Sequence, residues 1–393
     1  MTNQLWDILI IGGTGYTGQF VLDYLKTQKS SLGLRICLGA RSVEKAVSRI
    51  KGLTNSESVY LDVTDEPSVI GAVKRSRVVI SLAGPWWANG ATVVRVCARY
   101  GVHYLDLTGE MHWVAKMIDE YDYLAHKTRA CIIPCAGFDS IPSDLAVYLS
   151  TKTLEKQLSR SDTLSIKSAC AVRWKIAGLS GGSRATVLSR YEQVPPEKRF
   201  DGTGWQLSPI PGPPRFSAVP KFLYSLPYVR PIVYGGFFFM SPVNEPIVRR
   251  SWGLREAQRR EAAIKCYRGY TVRHLPQPAH ILWGYVKPGE GPPVEKSAEG
   301  WFELTNISEA EGVVVKSLVK GDGDPSYFLT AWMVVECAIL LLDPSNLTPL
   351  GRQGGILTAT TAFGDKLAPA LEGTGRIETQ SAVLVEQESK KTR

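Results

Sequence analysis

Apolar residues over the first 150 positions alternate between two patterns. Short apolar runs bounded by turn formers read as buried strands, and segments with apolar residues three and four apart read as helices. Asp7–Ile11 is the first run; Gly12–Gly18 follows, and Phe20, Val21, Tyr24 and Leu25 then recur at helical spacing. Leu34–Leu38, Val59–Leu61, Val78–Leu82, His103–Leu107 and Cys131–Pro134 predict five more strands with helices between them. Strands joined through helices need right-handed crossovers and therefore a parallel sheet. The class expected is α/β: a Rossmann doubly wound parallel sheet over residues 1–150, with a second α+β domain and a C-terminal return.

Beyond residue 150 the pattern changes. Leu164–Lys175 reads as a strand, and Gly178–Arg184 leads into a helix through Tyr191. Pro and Gly crowd residues 195–243, among clustered aromatics that include Phe222, Tyr224, Tyr228, Tyr234 and Phe237–Phe239. Trp301–Ile307 and Gly312–Val319, joined by Ser308–Glu311, predict a hairpin, and Thr330–Leu342 a buried helix. The expected division is a substrate domain at 151–345, a segment at 346–385 packing back on the first domain, and a flexible tail at 386–393.

The first glycine cluster carries chemistry. In Gly13-x-Gly15-x-x-Gly18, which also holds Thr14, Tyr16 and Thr17, Gly13 allows a tight bend. Gly15 lets a pyrophosphate approach the backbone, and Gly18 lets helix and strand pack closely. A strand precedes this turn and a helix follows it, the context of a dinucleotide site. The second strand ends in Ala40, Arg41 and Ser42, without the acid that would accept from a ribose 2′-OH. A neutral residue beside a guanidinium suits a 2′-phosphate, so the cofactor expected is NADP(H). Asp62 is placed near the adenine, or else as a helix N-cap, and Ala83, Gly84 and Pro85 beside the nicotinamide. Tyr123-x-x-x-Lys127 has the spacing of a short-chain dehydrogenase pair. In so long a chain that spacing arises by chance, and it lies on a helix over 111–127, so it is set aside.

Composition then narrows the function classes. The chain has 393 residues and a formal charge of +9, of which residues 1–150 carry +1 and the remainder +8. Arg249–Arg268 holds seven basic residues against Glu256 and Glu261, with Leu254, Ala257, Ile264 and Tyr267 able to share a helix face. The cationic flank left over suits an acidic acyl carrier protein or an anionic membrane, or is a solvated face. No nucleic-acid reading module accompanies it. Seven Cys without a CxxC pair and five His without HExxH give no support for a metal. No signal-peptide pattern and no apolar run of about 20 residues occurs. The location expected is cytoplasmic, with membrane or lipid-droplet association through residues 222–268 as an extension.

Several motifs together resemble the saccharopine dehydrogenase-like oxidoreductases, in the trans-acting enoyl reductase branch. They are Gly12–Gly18, Gly39–Ser42, Leu82–Pro85, His103–Glu110, Cys135–Asp144, Leu179–Ser183, Pro288–Pro292 and Gly321–Pro325, in order along nearly the whole chain. The resemblance implies an NADPH-dependent reductase of a small-molecule or carrier-bound acyl substrate made by a separate polyketide synthase. It fits lipid or secondary-metabolite biosynthesis. The alternatives are an imine or ketone reductase of saccharopine-reductase type, or a membrane- or lipid-droplet-associated Rossmann protein with little redox turnover. Trp86–Trp87, Ser183, Ser326 and Ala359–Ala362 depart from the family pattern. The two indoles suit a bulky apolar substrate, or else pack in the core. Tyr104, Asp139, Ser140 and Asp144 are the candidate proton donors; each also has a structural reading, and Asp106 is expected to satisfy loop N–H groups.

Overall fold

The computed structural model describes residues 5–27, 29, 32–159, 165–199, 204–212, 224–230, 232–236, 238, 240–262, 271–276, 287 and 289–386. Of the aromatic cluster, Phe222, Phe237 and Phe239 lie outside the described residues, as do 263–268 of the basic stretch and 387–393 of the tail.

The first half alternates as expected: β1 (Trp6–Ile11), α1 (Tyr16–Thr27), β2 (Ile36–Ala40), α2 (Val43–Ile50), β3 (Ser56–Tyr60), α3 (Glu66–Val73) and β4 (Ser76–Ser81). α4 (Trp86–Asn89), α5 (Ala91–Tyr100), β5 (His103–Asp106), α6 (Met111–Thr128), β6 (Cys131–Ile133) and α7 (Ile141–Gln157) follow. β1 is buried over all six residues, as a strand covered on both faces must be. The parallel sheet runs β3-β2-β1-β4-β5-β6, so the chain switches direction between β1 and β4. That switch opens a crevice at the carboxyl ends of the two strands.

The second half holds β7 (Lys167–Lys175), α8 (Gly181–Glu192), the short β8 (Tyr224–Ser225) and β9 (Tyr234–Gly235), α9 (Ser241–Ala262) and β10 (Thr271–Pro276). Next come β11 (Trp301–Ala310), β12 (Val313–Asp322), α10 (Thr330–Leu341), α11 (Pro349–Gln353), β13 (Gly355–Ile356), α12 (Ala359–Phe363), α13 (Leu367–Glu372) and β14 (Ile377–Glu386). A second sheet runs β10-β7-β11-β12-β14, with only β10–β7 parallel. The β11–β12 connection is shorter than expected. Its two central residues, Glu311 and Gly312, have φ of 48° and 84°, the mirror-image turn whose twist matches a hairpin.

The expected boundaries at 150, 345 and 385 do not follow the packing. α7 crosses residue 150 and lies on β11, β12 and β14 of the second sheet. α10, expected in the second domain, packs on α1, where Tyr24 donates to Glu336 at 2.7 Å and Lys29 pairs with the same carboxylate at 2.7 Å. Within 346–385, β13 does return, pairing with β6 as the seventh strand of the first sheet. β14 does not: it pairs with β12 along Val313–Gly321, so the chain end belongs to both sheets.

Candidate functional site

The turn after β1 is built from close approaches. Gly12 has φ of 79°, and a Cβ there would meet the Leu82 carbonyl carbon at 2.9 Å, so the loops after β1 and β4 touch. The left-handed bend expected at Gly13 thus belongs to Gly12; a Cβ on Gly13 would instead strike Leu38 Cδ1 at 2.5 Å. Gly18 is required for packing, since its Cβ would come within 2.3 Å of the Gly13 oxygen. A Cβ on Gly15 would meet only the Gly12 oxygen, at 3.3 Å. A glycine cradle at a helix start, open at Gly15, fits a dinucleotide pyrophosphate. Tyr16 turns away from this cradle: its hydroxyl donates to the Pro292 oxygen at 2.8 Å and its ring meets Tyr327 edge-on at 5.0 Å.

At the end of β2, Arg41 is exposed and makes no hydrogen bond or ion pair among the described residues. Ser42, by contrast, is the N-cap of α2, accepting from Lys45 N at 3.3 Å and donating to Glu44 at 3.0 Å. Asp62 is not an N-cap, a place that Asp65 takes. Its carboxylate accepts from Thr64 N and Oγ1 at 2.9 and 2.8 Å; these bonds, with Arg41 nearby, hold it below the usual carboxylate range. A 2′-phosphate therefore fits Arg41, a guanidinium at this edge without a hydrogen bond or ion pair among the described residues.

Beyond Gly84 the two indoles separate. Trp86 is 7% exposed and packs on Gly84, whose Cβ would lie 2.8 Å from its Cζ3. Trp87 is half-buried, 5.3 Å from the His112 ring and 5.4 Å from Lys116 Nζ, measured between centroids or to the centroid. Glu110 takes the backbone N–H of Trp86 and of Trp87, one on each oxygen. Sequence reasoning missed Glu110 and His112, because main-chain donors leave no side-chain signature.

The carboxyl ends of β5 and β6 gather an acid cluster. Asp106 is fully buried, and its Oδ1 accepts both Thr108 N at 2.9 Å and Cys135 N at 3.0 Å, the loop-holding role expected of it. Tyr104 OH, Asp106 Oδ2 and Ser140 Oγ are buried, with Tyr104 beside Asp106 and Ser140 beside the Cys135 thiol. Asp139 is half-buried, and its Oδ2 lies where Gly109 leaves room, 3.7 Å from the place a Cβ would take. Burial pushes both Asp106 and Asp139 up to about 7. Burial also raises the Cys135 thiol, and the two acids raise it further. Asp144 stands apart: Oδ2 accepts from Thr360 Oγ1 at 2.6 Å in a buried network that also joins Ser251, linking α7, α9 and α12. Tyr123 is 80% exposed.

The second domain reaches this edge. Tyr327 OH accepts Ser180 N–H at 2.6 Å and bonds Ser183 Oγ at 2.8 Å, and Asp324 accepts from Ala177 N at 2.6 Å. The Leu179–Ser183, Pro288–Pro292 and Gly321–Pro325 motifs therefore converge on Tyr16.

Within the described part of the basic stretch the arginines have partners in the fold. Arg249 is buried and pairs with Glu245 at 2.9 Å. Arg250, 1% exposed, donates to the Ile356 and Leu207 oxygens and pairs with Asp122 at 3.2 Å. Arg255 bonds Thr360, Arg259 pairs with Glu155, and Arg260 with Glu256 at 2.9 Å. These contacts tie α9 to its neighbours. Among the described residues no group of His, Cys, Asp and Glu could hold a metal, and no helix is long and apolar enough to cross a membrane.

Residues 8–132 match the saccharopine dehydrogenase NADP binding domain. A candidate trans-acting enoyl reductase of Mycobacterium tuberculosis is 30% identical, over 95% of this chain and 97% of its own. A trans-acting enoyl reductase of Mycobacterium bovis is 29% identical, over 94% and 96%. A lipid droplet localized protein of Caenorhabditis elegans is 24% identical, over 92% and 94%. Among solved structures, apo saccharopine dehydrogenase (L-Glu forming) of Saccharomyces cerevisiae matches in fold with a TM-score of 0.50, at 13% identity over 95% of this chain and 99% of that one. The crevice and these matches define an NADP(H)-binding oxidoreductase. The chain belongs to the saccharopine dehydrogenase-like oxidoreductases, in the trans-acting enoyl reductase branch.

Proposed function

We propose that this oxidoreductase reduces the α,β double bond of an acyl chain that a separate carrier presents to it. The reading is carried by relatives that bear this activity in their names and match from end to end. In it, Gly13, Thr14, Gly15, Thr17 and Gly18 line the pyrophosphate, Arg41 grips the 2′-phosphate, and Ala83–Pro85 flank the nicotinamide. Bound NADPH supplies hydride to Cβ of the acceptor. The electron pair of the double bond moves onto the carbonyl as an enolate, and Cα then takes a proton.

Asp139 is assigned that proton. It is the half-buried acid of the cluster, has no hydrogen-bond partner among the described residues, and keeps its proton up to about pH 7. Tyr104 is fully buried, and Asp144 is committed to Thr360. The test is NADPH oxidation with 2-enoyl thioesters, imines and ketones. Turnover of an enoyl thioester is expected; reduction of imines with none of any enoyl substrate would overturn the reading. A lipid surface is a second location to examine, on the name of the Caenorhabditis relative. Flotation with anionic liposomes tests it, and protein that stays at the bottom of the gradient removes it.

A further inference from the structure

Glu110 is 2% exposed and follows β5 at the carboxyl edge of the first sheet. Its Oε1 accepts Trp86 N–H at 2.9 Å and its Oε2 accepts Trp87 N–H at 2.7 Å. Those donors open α4, four residues long and too short to hold its own shape, directly after Gly84–Pro85. A carboxylate that faces two consecutive main-chain donors fixes the path of the backbone, whatever side chains it carries. His112 braces the arrangement. Its Nε2 makes no hydrogen bond among the described residues and lies 3.9 Å from Glu110 Oε2, while its ring rests against Trp87. The turn held in this way abuts the cofactor cradle: a Cβ on Gly12 would meet Ala83 N at 3.0 Å.

We infer that Glu110 is a positioning residue for the nicotinamide end of the dinucleotide. Its two oxygens hold the Gly84–Trp87 turn in the shape that receives the ring, and Trp87, backed by His112, forms the wall beside it. This rests on the placing of the nicotinamide by Gly84–Pro85. It does not depend on the acyl substrate, so failure of the enoyl assay leaves it standing, and the reverse holds too.

The experiment compares binding of NADP+ with binding of 2′,5′-ADP, which has the phosphorylated adenosine half and no nicotinamide. Glu110→Gln sets an amide NH2 against one of the two N–H groups. NADP+ affinity is expected to fall about tenfold, the size of one hydrogen bond to a charged group, with 2′,5′-ADP within about twofold. Equal losses for both ligands would mean a general structural role and overturn the inference; so would no loss for either. Should the variant fail to fold, the wild-type protein gives the answer by acid titration. Burial raises the Glu110 carboxyl, so it takes a proton, and loses an acceptor, at a higher pH than a solvated glutamate. The acids and bases facing it are Asp106 and His112; burial and Arg190 hold the imidazole down to about 4. For this titration the reference ligand is 2′-phospho-ADP-ribose, since the 5′-phosphate of 2′,5′-ADP itself takes a proton at about pH 6. The ratio of NADP+ to 2′-phospho-ADP-ribose affinity is expected to drop on acidification, and the 2′-phosphate and pyrophosphate are common to both ligands and cancel. A flat ratio overturns the inference.

Discussion

Arg41 and Arg250 carry the same side chain to opposite ends. Arg250 is enclosed and gives its donors to two carbonyls and Asp122; burial pushes it down to about 10, so it stays charged at neutral pH. Arg41 stands exposed at a strand end with its donors unspent. Asp144 and Asp139 repeat the contrast among acids, one tied to Thr360 and the other without a partner. Packing consumes most polar groups that a fold buries, and chemistry is left to those it does not consume.

The contrast breaks first at Arg250. Arg250→Met leaves the buried Ile356 and Leu207 oxygens without its donors, while Asp122 keeps the Ile356 N–H; unfolding by denaturant should show a loss of about 2–4 kcal/mol. A loss below about 1 kcal/mol would mean that the guanidinium is not structural. Asp139→Asn should lower kcat by about a hundredfold or more, with little change in the unfolding midpoint. Only the protonated acid donates, so wild-type kcat should fall as pH rises through about 7, and the Asn variant should lack that limb. Arg41→Ala should weaken NADPH by about 10–100-fold and leave NADH nearly unchanged; equal losses would break the 2′-phosphate assignment. The smallest effect is expected at Lys175, which pairs with Glu299 at 3.3 Å with both side chains exposed. Lys175→Ala should cost under about 0.5 kcal/mol.

Most of the first sheet was legible because β1, β2, β4 and β6 are compact apolar runs and glycines fall near the strand ends, whereas β3, Ser-Glu-Ser-Val-Tyr, showed only its apolar end. Arg41 was legible because its meaning depends on a local fact, the lack of an acid at the end of β2. The engagement of Arg250, Arg255 and Arg259 was not legible, for the opposite reason. Their partners Asp122, Glu155, Ile356 and Thr360 lie more than 100 residues away in sequence, and a charge pattern carries no record of them. Trp86 and Trp87 look alike in sequence; only the fold makes one of them core and the other a wall. No strand was expected over β14, and only its pairing with β12 assigns it.

The threading of the last forty residues has a consequence for synthesis. β13 completes the edge of one sheet and β14 the edge of the other. While the chain is still being made, β6 and β12 both present open hydrogen-bonding edges, the kind of surface that invites pairing with a neighbour. The first sheet stays open until β13 is made and the second until β14 is, so each edge is exposed until its own closing strand has emerged. A product truncated before residue 355 would keep both edges open for as long as it survived.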